Sequence, residues 1–196
     1  MRRELLRAEF ANTKPEGRRK EILWFSGVDV PRFDFWTGDE WILRLPMDVA
    51  RLDRLNSGSA PLLKDHVWNR PIDSQVGIIE RAWIDGSSGF ASVRFADTED
   101  VDDIWRKVDS GIIQNVSMET VIDDLKDVTP PKHKTRILAA TGWEPEAVAI
   151  VPVGADPNAG FLSVLPVSNP STIPIQDLLD KRRASVNLIM ALLKRG

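Results

Sequence analysis

Ser117 is the residue in this chain best suited to covalent chemistry. It lies in Ser110-Gly111-Ile112-Ile113-Gln114-Asn115-Val116-Ser117-Met118-Glu119-Thr120, where a glycine is followed by an alternating run. A serine hydroxyl becomes a nucleophile when a base takes its proton. The 196 residues include two histidines, His66 and His133, and no cysteine or tyrosine, so the base is one of these imidazoles or a lysine. Imidazole, with a reference pKa of about 6.5, accepts a hydroxyl proton at neutral pH. His66 sits in Ala60-Pro61-Leu62-Leu63-Lys64-Asp65-His66-Val67-Trp68, after an apolar pair and ahead of the strand-like Ser74-Gln75-Val76-Gly77-Ile78-Ile79-Glu80. A serine and a histidine so placed could carry out acyl transfer. Spacing along the chain does not decide the matter, because such dyads form in space, and a lone histidine is more often a packed structural residue.

The elements that must position these groups can be read from periodicity. Residues 97–110 predict a helix: Val101, Ile104, Trp105 and Val108 fall at i, i+3, i+4 and i+7, Asp97 or Thr98 can cap the start, and Gly111 stands where a helix ends. The period then changes. Ile112, Val116 and Met118 fall on one face of a strand, while Ile113, Asn115, Ser117 and Glu119 fall on the other. Upstream, Ile22 to Val28 and Glu40 to Leu45 read as strands, and Pro46 to Leu55 as a short helix with Val49, Leu52 and Leu55 on one side. Gln75–Ile84 and Gly89–Phe95 read as a hairpin around Asp85-Gly86-Ser87-Ser88-Gly89. Thr135–Thr141 and Glu146–Val153 read as two further strands beyond an exposed loop, Thr129-Pro130-Pro131-Lys132-His133-Lys134. Many antiparallel strands with a few surrounding helices predict an α+β fold built on a closed or nearly closed, mainly antiparallel β-barrel.

Taken in order, the motifs show a resemblance. Leu62-Leu63-x-Asp65-His66, Val76-Gly77-Ile78-Ile79, Val93-Arg94-Phe95, Ile104-Trp105-x-x-Val108-x-x-Gly111-Ile112-Ile113-x-Asn115-Val116-Ser117, Trp143-Glu144-Pro145 and Val151-Pro152-Val153-Gly154-Ala155-Asp156-Pro157-Asn158-Ala159 resemble the successive motifs of tailed-phage prohead proteases. These capsid maturation enzymes are similar in fold to the herpesvirus assemblin serine proteases. The ordered set spans roughly residues 50 to 160. The resemblance implies a serine endopeptidase with Ser117 as nucleophile, His66 as general base, a scaffold or capsid precursor as substrate and self-cleavage as a second activity. It also implies action inside the phage prohead in the host cytoplasm.

The chain departs from the family pattern in two places. The serine motif continues as Met118-Glu119, where the family has a small residue and glycine. In the strand that usually reads Trp-x-Pro-x-Glu-x-Ser, Ala147 and Ala149 stand in place of the glutamate and serine. Glu146 is therefore the expected third catalytic residue, one position away and on the opposite face unless a bulge intervenes. Glu144, Asp156 and His133 are the other candidates. The resemblance further implies an arginine near the oxyanion, with Arg136 as the candidate and Arg94 as its rival. Trp68 is either a wall of the substrate cleft or a core anchor like the other tryptophans. Two other readings compete: a catalytically inactive capsid assembly factor on the protease fold, and an unrelated β-rich binding module in which Ser117 and His66 are packed polar residues.

Composition sets the outer limits. With 42% hydrophobic and 28% charged residues, the chain is long enough for one sizeable core. The absence of cysteine excludes disulfides and thiolate chemistry, no cofactor is expected, and two distant histidines make no metal site. No apolar run of membrane-spanning length and no leader pattern stands in the sequence, so neither membrane insertion nor secretion is expected. Residues 1–20 carry +4 and residues 176–196 carry +3, which leaves -10 for the middle of a chain whose total is -3. These boundaries predict a flexible basic arm (1–20), a protease domain (21–165), a linker (166–174) and an amphipathic C-terminal helix (175–196) that closes the core or docks a partner, a homodimer included. A pI of about 5.5, with basic residues not interleaved with aromatics, argues against specific nucleic-acid binding.

Overall fold

Alternating apolar and polar residues place most of this chain in extended structure. A computed structural model describes residues 17–34, 36–66, 69 and 71–162. Among these residues nine strands join one sheet: β1 (Arg19–Phe25), β2 (Val30–Phe33), β3 (Glu40–Arg44), β4 (Pro61–Lys64), β5 (Gln75–Asp85), β6 (Ser88–Phe95), β7 (Val116–Asp127), β8 (Arg136–Ile150) and β9 (Gly160–Phe161). Described helix amounts to α1 (Asp102–Asp109) and three single turns of 3-10 helix. The described residues are thus mostly β, with less helix than an α+β reading implies. The expected linker and C-terminal helix lie outside the described residues, as does most of the basic arm, whose last two residues, Arg19 and Lys20, already belong to β1.

The long strand β8 organises the sheet. Antiparallel β7 runs along one of its edges, while β3 and β4 pair in parallel with opposite ends of the other. From β4 the sheet continues through β5, β6, β1 and β9, and an Asn115–Gly160 bridge returns it to the start of β7, so the sheet curls into a partial barrel. Two expectations change here. The two strands expected at 135–141 and 146–153 are one continuous β8, because the interruptions at Gly142 and Pro145 are absorbed by shifts in the β7–β8 register at Glu119/Thr120, Ile122/Asp124 and Asp124/Leu125. The helix expected over 46–55 is a 3-10 turn, Met47–Val49. Its continuation is drawn onto β8 instead, with Ala50 bridging Trp143 and the Arg51 N–H donating to the Trp143 carbonyl.

The core lies inside the curl. Trp24, Phe25 and Trp143 pack with ring centroids 5.9–6.4 Å apart. Each indole finds an acceptor, Trp24 Nε1 on the Phe90 carbonyl and Trp143 Nε1 on the Pro46 carbonyl. Val148 and Ile150 of β8 face this core, whereas Ala147 and Ala149 face the other way and join Leu63 and Val151 in a small separate cluster. No described helix is long and apolar enough to cross a membrane.

Glu80 ties three strands together. Its carboxylate accepts from Arg19 Nε at 2.8 Å and Nη2 at 3.1 Å on β1, and from Arg94 Nε at 2.8 Å on β6. Hydrogen bonding from Arg19 holds its carboxyl below the usual glutamate range, and the charge-assisted bond from Arg94 adds to this. A depressed carboxyl contributes stability above its unfolded pKa of about 4.3 and loses it as pH falls toward the folded value. Glu80→Gln should therefore cost about 1 kcal/mol near neutrality, a fall in Tm of about 2–4 °C. The gap between wild type and variant should close below about pH 4 in thermal melts; a gap of equal size at pH 3 and pH 7 would refute the assignment.

Candidate active site

The serine is positioned by the end of α1. Ile104 and Val108 bury the inner side of this helix, and Trp105 packs edge-on against Phe95 at 5.1 Å. Gly111, at φ 77°, takes the left-handed conformation that ends it, with its N–H on the Val108 carbonyl and the Ile113 N–H on the Lys107 carbonyl. Four residues after Gly111, at Asn115, the chain pairs with Gly160 and enters β7. Val116 is fully buried in the core. Ser117 must then point to the opposite face of the sheet, where it stands directly across from Ala149.

The histidine reaches the same face from β4. Leu63 of β4 is in register with Ala149, and the Asp65 N–H extends the ladder to the Ile150 carbonyl. Asp65 then turns left-handed at φ 68°, a conformation open to aspartate, and its Oδ1 accepts the His66 N–H at 2.8 Å. The Asp-His pair thus lifts the imidazole off the end of β4. His66 Nδ1 lies 3.2 Å from Glu119 Oε1, with the two side chains 40% and 14% exposed. Because an ionised carboxylate only accepts, this bond puts the ring proton on Nδ1 and leaves Nε2 as the acceptor.

Glu119 is the residue that the sequence reading did not pick. It lies two positions after Ser117, on the same face of β7, so their Cα atoms are separated by about 6.7 Å. Its place in the alternating run with Ser117 was the signal available. Across the ladder Glu119 faces Ala147, as Ser117 faces Ala149. The carboxylate set on the imidazole therefore projects from β7, opposite Ala147 of β8. Ala147 and Ala149, 2% and 0% exposed, form a low apolar floor beneath this polar row. The Ser117 hydroxyl makes no hydrogen bond to His66 among the described residues.

The remaining candidates lie elsewhere. Glu146 lines a neighbouring cleft with Arg54 and Ile72. Glu144 accepts the Arg54 N–H at 2.8 Å. Asp156 is buried and accepts from Ser26 N–H, Ser26 Oγ and Asn158 N–H, which fastens the 151–159 loop to the end of β1. His133 contacts the Thr135 carbonyl through Nδ1, in the loop at the far end of the β7–β8 pair. Arg136 donates to Asp127 at that same end, ten residues or about 33 Å of strand from Ser117. Hydrogen bonding from Thr129 is the main cause that lowers the Asp127 carboxyl to about 2, with Arg136 adding to it. Arg94 is held by Glu80. Arg136 is thus remote from Ser117, and Arg94 is engaged in an ion pair of its own. Trp68 lies outside the described residues.

No family model matches the chain. Over 128 residues it is 34% identical to the major capsid protein of Halomonas phage phiHAP-1; the match covers 64% of this chain and 20% of that protein. The chain thus corresponds to about a fifth of the length of the capsid protein it matches. Among solved structures it aligns with the capsid assembly protease of bacteriophage T4, at 15% identity and a TM-score of 0.44, over 70% of this chain and all of that one. What these comparisons establish is sequence similarity to part of a phage capsid protein.

Proposed function

We propose that the chain is a serine endopeptidase of capsid maturation, with Ser117 as nucleophile, His66 as general base and Glu119 as the carboxylate that orients the base. The observation that carries this reading is the His66–Glu119 contact on the same strand face as Ser117. In the reaction, Ser117 Oγ adds to the scissile carbonyl while its proton passes to His66 Nε2. The tetrahedral intermediate collapses as the imidazolium returns that proton to the departing amine, and water, deprotonated by the same nitrogen, releases the acyl group. Glu119 keeps the Nδ1 proton in place and stabilises the imidazolium. The serine-to-imidazole bond forms when substrate closes the site, since such bonds are often long in free enzymes.

Similarity to a phage capsid protein supports a capsid-associated role; we take a capsid or scaffold precursor as the substrate and the prohead as the place of action. The ordered motifs between residues 50 and 160 support the same family of enzymes. A second reading, an assembly factor without catalysis, is favoured by the capsid identity of the matched protein and by the open Ser117–His66 geometry.

Two experiments separate these readings. Treated with a fluorophosphonate, the wild-type chain should gain the mass of one adduct on Ser117, Ser117→Ala should gain none, and His66→Ala should react at least a hundredfold more slowly. A wild-type chain that stays unmodified while still binding a capsid precursor would establish the assembly factor instead. The second experiment moves the carboxylate. Glu119→Ala should lower kcat by about 10²–10⁴-fold, and adding Ala147→Glu, which returns a carboxylate from directly across the ladder, should recover at least tenfold of that loss. No recovery in a folded double variant, or full activity in Glu119→Ala, would remove Glu119 from the mechanism.

A further inference from the structure

We infer that the end of the β7–β8 pair farthest from Ser117, together with the β2–β3 turn beside it, is a self-complementary surface through which two copies of this chain pair, with Trp36 of each copy at its centre. β3 lies parallel to β8, and Trp41 is in register with Arg136, so the two strands begin at the same end of the sheet. The β2–β3 turn (34–39) and the β7–β8 loop (128–135) therefore emerge side by side, with the strands they feed about 4.8 Å apart. Ser117 stands at the other end of β7, ten residues or about 33 Å of strand from Asp127. Because the surface is remote from Ser117, the inference goes beyond the protease reading and does not rest on it.

Both loops are built to hold their shape. Asp34 Oδ1 accepts the Trp36 N–H at 2.8 Å and the Thr37 N–H at 3.2 Å, the Asp34 N–H reaches the Asp39 carbonyl at 2.9 Å, and the Gly38 N–H returns to the Asp34 carbonyl at 2.8 Å. On this fixed turn Trp36 is 98% exposed. An indole displayed on a preorganised turn gives up little backbone freedom when a partner covers it, and tryptophan is enriched among the anchors of protein interfaces. In the neighbouring loop Pro130 and Pro131 fix their own φ, and the His133 N–H closes on the Pro130 carbonyl at 3.0 Å. Charge identifies the partner. The turn is acidic, with Asp34, Asp39 and Glu40 and no lysine or arginine between residues 33 and 40. The loop is basic, with Lys132, Lys134 and Arg136 and no carboxylate between residues 128 and 136. Asp39, Lys132 and Lys134 are exposed and join no ion pair among the described residues. A two-fold axis beside Trp36 sets each acidic turn on the other copy's basic loop and covers both indoles, so one patch supplies both halves of the contact. Two short loops present less surface than a standard interface, which makes the pairing about micromolar in strength and sensitive to salt.

The test is sedimentation velocity of the full chain from about 1 µM to about 500 µM, for wild type and three variants. Wild type should pass from monomer to dimer as its concentration rises, and added salt should reverse the shift. Trp36→Ala should raise the dimer Kd about tenfold or more. Asp39→Lys makes the whole patch basic, and Lys132→Glu combined with Lys134→Glu makes it largely acidic, so each of these chains alone should stay monomeric. An equimolar mixture of the two should pair about as tightly as wild type, because each acidic element again meets a basic one, and damage to the fold cannot produce such a rescue. A wild-type chain that stays monomeric throughout, a dimer indifferent to Trp36→Ala, or folded charge variants that remain apart when mixed would overturn the inference. A monomeric chain that needs Trp36 to bind a capsid precursor would assign the surface to that partner and overturn the second copy as its occupant.

Discussion

The pairing of β7 with β8 is the constraint on which the rest of the structure depends. It sets Ser117 across from Ala149 and Glu119 across from Ala147, and it decides which side of each strand enters the core. A slip of one residue would turn Ser117 and Glu119 inward and Val116 outward. Several contacts oppose such a slip. Trp143 is fully buried against Trp24 and Phe25 while its indole holds the Pro46 carbonyl, which fixes β8 in translation. Arg51 grips Asp123 of β7 with two hydrogen bonds of 2.6 and 2.8 Å beside Gly142, where a Cβ would lie 2.3 Å from the aspartate oxygen. The glycine is what lets that ion pair close against the sheet.

Because β8 buries one face in the barrel and carries the candidate site on the other, site geometry and core packing use alternate residues of the same strands. Val148 and Ile150 serve the core, while Ala147 and Ala149 support the polar row above them. Small side chains at these two positions leave room over the sheet for the His66 ring and the Glu119 carboxylate. A large residue at 147 or 149 would compete with the Glu119 side chain for this space without entering the main core, so the site can change while the core does not.

The polar connections outside the site follow one pattern, in which short carboxylate–guanidinium contacts tie neighbouring strands and the loops at their ends. Arg19 and Arg94 meet on Glu80, Arg44 meets Asp29, and Arg136 meets Asp127. Each pair is exposed or half-exposed and weak alone. They reinforce pairings already made by the backbone ladders of a sheet that mixes parallel with antiparallel neighbours. They also engage Arg94 and Arg136.

Much of this molecule could be read without coordinates. The 3.6-residue period of Val101, Ile104, Trp105 and Val108, the glycine exit at Gly111 and the change to period two placed Ser117 on a strand and on its polar face, because those signals are local. The ordered motifs singled out Ser117 and His66. What only the tertiary structure decided was non-local: that β4 lies parallel to β8, that Asp65 turns left-handed to aim His66, and that the carboxylate beside the imidazole is Glu119 and not Glu146. Glu119 and Ala147 are 28 positions apart in the chain, and their cross-strand pairing depends on bulges at Gly142 and Pro145 that no periodicity announces. Local sequence fixes what each residue can do on its own strand, whereas which residues meet is set by register, and register is a property of the whole sheet.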